Sequence, residues 1–511
     1  MHVRDARLPR LLLILALLAA LALFGCGAPA TPEPTATPFT PEASPTAPAV
    51  ATTQATPTVV ELPQTPETAP PPEGRYVGAI EVGGQRIEIE IEFGQRGQEL
   101  VATMDIPVQG AMDIPLNEVL YHPPEISFTA FSGNSLAAFA GQVEESGSIS
   151  GTFVQMGVAG TFVLEPAPPV VEEPLPYREE EVVFHNGDIT LAGTLSLPEG
   201  EGPFPAVVLI SGSGAQNRDE NILGFRIFFR IADHLTRNGI AVLRYDDRGV
   251  GGSTGDLTQA TQVDLAGDVL AAVELLLSHA QIDPEAIGLI GHSEGGIVAP
   301  LVANRSENVS YLVLLAGPAT PGEEILVDQL ELIMRAQGAT EEQIAAAKEK
   351  QQKTLEAVKT GEGWDEVRAR SEAELRATIE ALPEAQRRAL GDVDEFVRNA
   401  VEAEIANVAS PWFRSFVEYD PVPALRELDV PVLALFGELD TQVPPEKNAQ
   451  AMREALEEAG LEDFRIEILA SANHLFQEAV TGGVDEYATL EKEFVPGLLD
   501  LITEWILEHT S

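Results

Sequence analysis

Hydrophobic and polar positions divide the chain into four stretches, each predicting a different kind of structure. Leu11 to Phe24 is almost wholly apolar, behind a start that carries Arg4, Arg7 and Arg10. Ala28 to Pro72 is Pro, Thr, Ala and Glu with almost nothing to bury. Such a stretch cannot offset the entropy lost on ordering, so it reads as an extended, disordered tether. From Gly74 the pattern changes to period two. Ile87, Ile89 and Ile91 alternate with Glu88, Glu90 and Glu92, as in a strand with one buried face. Further short strands are expected at Leu100–Met104, Glu125–Phe131, Ala137–Val143, Ser148–Gln155 and Gly160–Leu164. Together they predict a small all-β domain, a sandwich or a barrel.

From Tyr177 the pattern becomes an alternation of strands and helices. Strands are expected at Glu181–His185, Leu191–Leu197, Ala206–Ile210, Ile240–Tyr245, Ile287–Ile290, Tyr311–Leu315, Val432–Phe436 and Arg465–Leu469. The later ones are continuous apolar runs, which suits parallel strands covered on both faces. Helices are expected at Phe225–Arg237, Gln262–His279, Gly295–Ala303, Glu446–Ala459 and Val484–Glu508. This is the pattern of an α/β fold with a doubly wound, mostly parallel sheet. One connection is too long for it: after Leu315 the next core strand waits until Val432. Residues 321–409 are rich in Glu, Ala, Gln and Lys, with Gly361-Glu362-Gly363 breaking one helix and Pro383 starting another. They read as an inserted helical cap over the end of the sheet where ligands bind. The expected organisation is a signal peptide (1–25), a tether (26–73), the all-β domain (74–165), a Pro/Glu linker (166–176) and the α/β domain (177–511).

Charge and cysteine content narrow the surroundings. The 80 acidic residues against 31 basic ones give a formal charge of -49. Phosphate would repel such a surface, which excludes nucleic acid as a partner and adsorption to anionic lipid. Cys26 is the single cysteine, so no internal disulfide forms. The apolar run before it is shorter than the ~20 residues a membrane-spanning helix needs and has the layout of a secretory signal. Leu23-Phe24-Gly25-Cys26 resembles a bacterial lipoprotein lipobox, with cleavage before Cys26 and lipid on its sulfur. Two or three acyl chains would hold the protein stably at the outer face of the cell membrane. An ordinary signal or a membrane anchor with an incidental cysteine is the simpler alternative.

The candidate chemistry lies in the α/β part. Gly291-His292-Ser293-Glu294-Gly295 stands between an apolar strand and a helix, the context of a G-x-S-x-G nucleophile turn. A serine needs a base, and the base needs an orienting acid. Asp440 follows the strand ending at Phe436, with Glu438 as the fallback acid; the same Asp440 would also suit a turn cap before Pro444-Pro445. His474 follows the last strand and would titrate near neutrality, as a proton shuttle must. His185, His234 and His279 sit on expected elements and read as structural, and His122 is the one histidine of the all-β domain. Oxyanion donors would be the backbone amide of Glu294 and one from Ser211-Gly212-Ser213-Gly214, with Ser213 first and Gly214 next. The Glu294 side chain would serve either specificity or packing. Arg244-Tyr-Asp246-Asp247-Arg248-Gly249-Val-Gly251-Gly-Ser253 lacks the Gly-Lys-Ser/Thr of a phosphate loop and does not fit a dinucleotide fingerprint. It reads as a structural loop with Asp246 and Arg248 in buried pairing. No cluster has metal-ligand spacing, and no cofactor is expected.

As a set, these segments resemble the α/β-hydrolase superfamily, in which the triad also runs Ser, Asp, His along the chain. More narrowly, they look like bacterial serine esterases grouped with serine aminopeptidase-like hydrolases. The segments are Leu209–Asp219, Arg244–Ser253, Gly291–Gly296, Ser410-Pro-Trp-Phe-Arg414, Phe436–Asp440 and Ala472-Asn-His474, and the likeness runs from about Glu180 to the C-terminus. Ser211 stands where many relatives have His. The resemblance implies hydrolysis of short or medium acyl esters by Ser293, His474 and Asp440 through an acyl-enzyme. Trp412 and Phe413 would either wall the pocket or pack the cap on the core. One alternative is a peptidase releasing N-terminal residues or dipeptides, with Glu294 or cap carboxylates binding the substrate amine. Another is a non-catalytic envelope protein whose all-β domain grips a polymer. On the esterase reading the all-β domain is a spacer or an accessory binding module.

Overall fold

The computed structural model describes residues 70–510 apart from 83–84, 97–98, 107–110, 133–134, 145, 156–157, 169–173, 382–386 and 388–391. The expected signal, Cys26, nearly all of the tether and the helix start at Pro383 lie outside the described residues.

Eight antiparallel strands form the N-terminal part: β1 Gly74–Val82, β2 Gln85–Arg96, β3 Glu99–Ile106, β4 Ala111–His122, β5 Glu125–Ser132, β6 Ser135–Val143, β7 Ile149–Gln155 and β8 Val158–Pro166. They pair in chain order, and β1 pairs with β8, which closes a barrel. Its inward positions are filled by side chains such as Ile89, Ile91, Phe93, Phe128 and Phe162, all nearly inaccessible. The Phe128 and Phe139 rings stack 4.8 Å apart at its centre. Sequence pattern misses β1 and β4. β4 carries Pro115, a left-handed Glu118 and a register shift between Asn117 and Leu120, and this irregularity hides its alternation.

The second sheet begins with β9 Arg178–Asn186 and β10 Ile189–Leu197, an antiparallel pair. It continues with β11 Phe204–Ile210; a two-residue hairpin, β12 Asn221–Ile222 and β13 Phe225–Arg226, lies outside it. The remaining strands are β14 Ala241–Tyr245, β15 Ile282–His292, β16 Tyr311–Leu315, β17 Val432–Gly437 and β18 Phe464–Leu469. Their order is β18-β17-β16-β15-β11-β14-β10-β9, parallel from β18 to β14. Along β11, Ala206, Val208 and Ile210 enter one hydrophobic core while Val207 and Leu209 enter the other. A strand buried on both faces explains why its sequence shows no alternation.

Helices cover both faces. α1 Ile227–Arg237 lies on one face; α2 Gln262–Ser278 and α3 Gly295–Ala303 lie on the other. The long connection holds α4 Gly322–Ala336, α5 Glu341–Thr360, α6 Trp364–Ala381 and α7 Val393–Val408, followed by α8 Pro411–Glu418 and α9 Val422–Arg426. α10 Pro445–Ala459 joins α2 and α3, and α11 Leu498–Glu508 joins α1. The expected helix from Val484 is shorter than its pattern suggests. Pro496-Gly497 interrupts it, and Gly497 holds φ +87°, which side chains with a Cβ resist.

Candidate active site

The loops leaving β11, β15, β17 and β18 emerge at the carboxyl end of the parallel strands, where open α/β sheets place their ligands. At the end of β15, Ser293 takes φ +51°, left-handed backbone that a residue with a Cβ adopts at a cost. α3 begins two residues later. A Cβ on Gly291 would lie 2.2 Å from the Gly295 carbonyl oxygen, and one on Gly295 would lie 2.1 Å from that of Ile210. Only glycine fits at either place. The Ser293 amide donates to the Leu315 carbonyl at 2.8 Å, tying the turn to the end of β16. Ser293 is partly exposed between two buried neighbours.

Asp440 and His474 meet although 34 residues separate them: Nδ1 of the imidazole lies 2.7 Å from Asp440 Oδ2, and both side chains are buried. The other oxygen, Oδ1, accepts the amides of Gln442 at 2.7 Å and Val443 at 2.9 Å. Asp440 thus caps its turn and orients the imidazole at once. Glu438 lies elsewhere, accepting the Ser471 amide at 2.8 Å. The His474 ring sits 5.0 Å from that of His292, the residue before Ser293. The Ser293 hydroxyl makes no hydrogen bond to another described residue, so Asp440 and His474 are joined while no contact links His474 to that hydroxyl. Such contacts are often long outside the reacting complex.

The loop after β11 runs alongside the serine turn. Gly212 donates its amide to Glu220 Oε1 at 2.7 Å. Ser211 Oγ donates to Asp247 Oδ1 at 2.8 Å, and the Gln216 amide donates to Asp247 Oδ2 at 2.9 Å. The amides of Ser213, Gly214 and Glu294 donate to no other described residue.

The family model described as alpha/beta hydrolase fold matches residues 205–478, just over half of the 511-residue chain. The chain belongs to the α/β-hydrolase fold family. It is 29% identical over 333 residues to esterase EstD of Thermotoga maritima, covering 65% of this chain and 67% of that one. It is 31% identical over 185 residues to thiohydrolase aneE of Aspergillus aculeatus, covering 35% of this chain and about half (54%) of that one. A solved structure of the Pyrococcus furiosus esterase Pf2001 is similar at 15% identity and a TM-score of 0.39, covering 67% of this chain and 97% of that one.

Other residues of this hydrolase fold take places that the sequence left open. Glu294 is fully buried; Gln262 Nε2 donates to it at 2.7 Å and Trp412 Nε1 at 3.0 Å. Burial pushes its carboxyl up to about 7, against the pull of those two donors. Trp412 and Phe413 sit on α8 inside the core that reaches the sheet, so α8 is stapled to the serine turn through the indole. Asp246 and Arg248 are both in buried pairs, though not with each other. Asp246 takes Arg218 at 2.8 Å and Arg248 takes Asp268 at 2.6 Å.

Sequence reasoning missed Glu220, Asp247, His292 and Gln262 as parts of the site. His292 was in view, inside the serine pentad. Glu220 stands one residue past the Leu209–Asp219 segment. Nothing local distinguishes Gln262, an ordinary first residue of α2. Among the described residues no three His, Cys, Asp or Glu side chains form a metal-sized group, and no helix is long and apolar enough to cross a membrane.

Proposed function

We propose that the chain is a serine carboxylic-ester hydrolase for short or medium acyl esters. The observation that carries this reading is the Asp440–His474 pair, 2.7 Å apart, at the sheet edge where Ser293 holds left-handed backbone. The Asp440 carboxylate fixes the proton on Nδ1, which leaves Nε2 to accept one. Ser293 Oγ attacks the ester carbonyl carbon and passes its proton to His474 Nε2. The negative oxygen of the tetrahedral intermediate receives the Glu294 amide and that of Ser213 or Gly214; each such donor is worth ~3 kcal/mol of barrier lowering. The intermediate collapses, the alkoxy group leaves with the proton from His474, and Ser293 keeps the acyl group. Water then attacks this acyl-enzyme, gives its proton to His474, and releases the acid as Ser293 regains its hydrogen. None of these steps calls on a cofactor. The similarity to an esterase over 65% of the chain supports the reading.

A peptidase would need an anionic group for the substrate amine. Glu294 is the carboxyl next to the serine, but its oxygens face Gln262 and Trp412 in the interior, which favours the ester. Ser293→Ala should abolish hydrolysis of p-nitrophenyl acetate and butyrate and stop labelling by a fluorophosphonate probe. Unchanged turnover in that variant removes the serine mechanism, and faster cleavage of aminoacyl anilides than of esters moves the protein to the peptidases.

We also propose export and lipid anchoring at Cys26, with the barrel as a spacer or accessory binding module above the membrane. Grown with radiolabelled palmitate, a bacterial host should label the wild type and not Cys26→Ala; equal label in the two, or none in the wild type, would refute the anchor.

A further inference from the structure

Three segments far apart in the chain are linked through one buried carboxyl and the imidazole beside it. Glu220 is wholly inaccessible and itself sits in left-handed backbone at φ +45°. Its Oε1 accepts the Gly212 amide at 2.7 Å and lies 2.8 Å from His292 Nδ1. The other nitrogen of that ring, Nε2, donates to the backbone carbonyl of His474 at 3.1 Å. Gly212 belongs to the loop with the candidate oxyanion amides, His292 precedes the candidate nucleophile, and His474 is the candidate base. The packing leaves no slack at their meeting point. A Cβ on Gly212 would stand 2.9 Å from Glu220 Oε1, 3.3 Å from the Ser293 Cβ and 3.5 Å from His292 Nδ1.

We propose that Glu220 and His292 are a positioning pair that locks the oxyanion loop, the nucleophile turn and the base loop into one hydrogen-bonded unit. This rests on the reading of Ser293 and His474 as nucleophile and base. The proton count supports a pair tuned to this task. A carbonyl oxygen only accepts, so Nε2 of His292 must carry hydrogen. One further proton then lies between Nδ1 and Oε1, on the ring or on the carboxyl, and either place satisfies the bond. Burial disfavours a charged ring, but the adjoining Glu220 charge and hydrogen bond outweigh it and raise the His292 pKa. Asp440 adds to that rise, and Glu220 in turn faces Asp247. No neutral side chain reproduces the arrangement. A Gln at 220 that turns its oxygen to Gly212 and His292 meets a bare Nδ1 unless the ring moves its hydrogen off Nε2. A Gln that turns its nitrogen to the ring points N–H at the Gly212 amide.

The experiment uses the whole chain and p-nitrophenyl butyrate. His292→Asn places an amide near the Nδ1 position and abandons the His474 carbonyl. His292→Gln reaches the Nε2 position and abandons Glu220. Expected are kcat losses of roughly 10- to 100-fold for His292→Asn and Glu220→Gln with KM nearly unchanged, because the groups misplaced are those of the reacting step. His292→Gln should recover part of the kcat lost in His292→Asn. The double variant Glu220→Gln/His292→Asn should be no slower than the worse single one, since both cut the same linkage. The acid limb of the kcat/KM profile should move in His292→Asn, whose base loop is released. Folded variants with wild-type kcat, or His292→Gln no better than His292→Asn, overturn the proposal. If the variants do not fold, the wild type decides. Its 15N-histidine spectrum at pH 8 must contain a buried ring with an exchange-protected Nε2–H, and the absence of that resonance is equally fatal. Failure of the serine reading looks different: turnover would then survive Ser293→Ala.

Discussion

Replacing Glu294 by Gln should make the hydrolase part more stable, and more so as pH rises. Glu294 is fully buried, and its pKa is raised from 4.5 to about 7 by that burial. The unfolded chain gives up this proton near 4.5, so between the two values the folded protein holds a proton that the unfolded one has lost. Stability from this group is therefore complete below about pH 4.5, declines as pH rises to about 7, and is level above. Each pKa unit is worth about 1.4 kcal/mol, so the decline amounts to roughly 3 kcal/mol. Gln at 294 does not titrate. With its oxygen in the place of Oε1 it keeps both donors, the Gln262 amide and the Trp412 indole, which meet at that one atom.

Urea unfolding followed by tryptophan fluorescence is the appropriate assay. All three tryptophans, Trp364, Trp412 and Trp505, lie after the barrel, so the signal reports the hydrolase part alone. The stability of Glu294→Gln relative to wild type should grow by about 2.5 kcal/mol from pH 5 to pH 8 and level off above about 7. A difference that does not change with pH would refute the reasoning, because a lost or gained hydrogen bond alone has no such dependence.

Other substitutions separate charge from shape. In Asp440→Asn the oxygen should stay with the amides of Gln442 and Val443, which turns the new NH₂ toward His474 and forces the wrong tautomer. Ester kcat should fall roughly 10³- to 10⁴-fold in a protein that melts normally. Asp246→Asn leaves the half-buried Arg218 with only the exposed Glu181 as its anion, 2.8 Å away, and should cost about 2 kcal/mol in urea unfolding, whereas neighbouring Asp247→Asn should stay within about 1 kcal/mol. Arg248→Met strands Asp268 in the interior with only the Asn186 amide at 2.8 Å, and should cost about 3–5 kcal/mol by the same measurement.

What could be read from the sequence follows from what is local. Every strand of the hydrolase sheet was legible to within a few residues, because strands such as β16 are unbroken apolar runs bounded by polar turns. The serine turn was legible because glycine is forced at Gly291 and Gly295 by backbone approaches of 2.2 and 2.1 Å. The Asp440–His474 contact was reachable because both residues directly follow strands of one parallel sheet. The other half of the site depends on registers that no short window carries. Glu220 meets His292 across 72 residues and Gln262 meets Glu294 across 32, and each looks like an ordinary polar residue in its own segment. The irregular β4 was lost for the opposite reason, since its local pattern contradicts the pairing it makes.

Past the strand ends, backbone amides lose their ladder partners and must find acceptors elsewhere. Carboxyl groups fill much of that need here: Glu220 takes Gly212, Asp247 takes Gln216, Asp246 takes Arg218 and Gly252, and Asp440 takes Gln442 and Val443. The fate of each charge then depends on whether a cation accompanies the amides. For Asp246, burial works against the charge, yet the Arg218 guanidinium and two amides win, and its pKa is lowered. Asp247 is the next residue and has no cation; burial drives it well above the usual carboxylate range, and the nearby Glu220 and Glu294 push the same way. Glu294 has only two neutral donors and rises as well. The serine turn thus lies beside two acids, Asp247 and Glu294, in which burial favours the protonated form. Asp440, whose charge the proposed chemistry needs, accepts from two amides and from the imidazole it serves. Carboxyls thus serve here both to tie down the loops past the strand ends and to orient the His474 imidazole, and the donors each one meets decide which of the two it does.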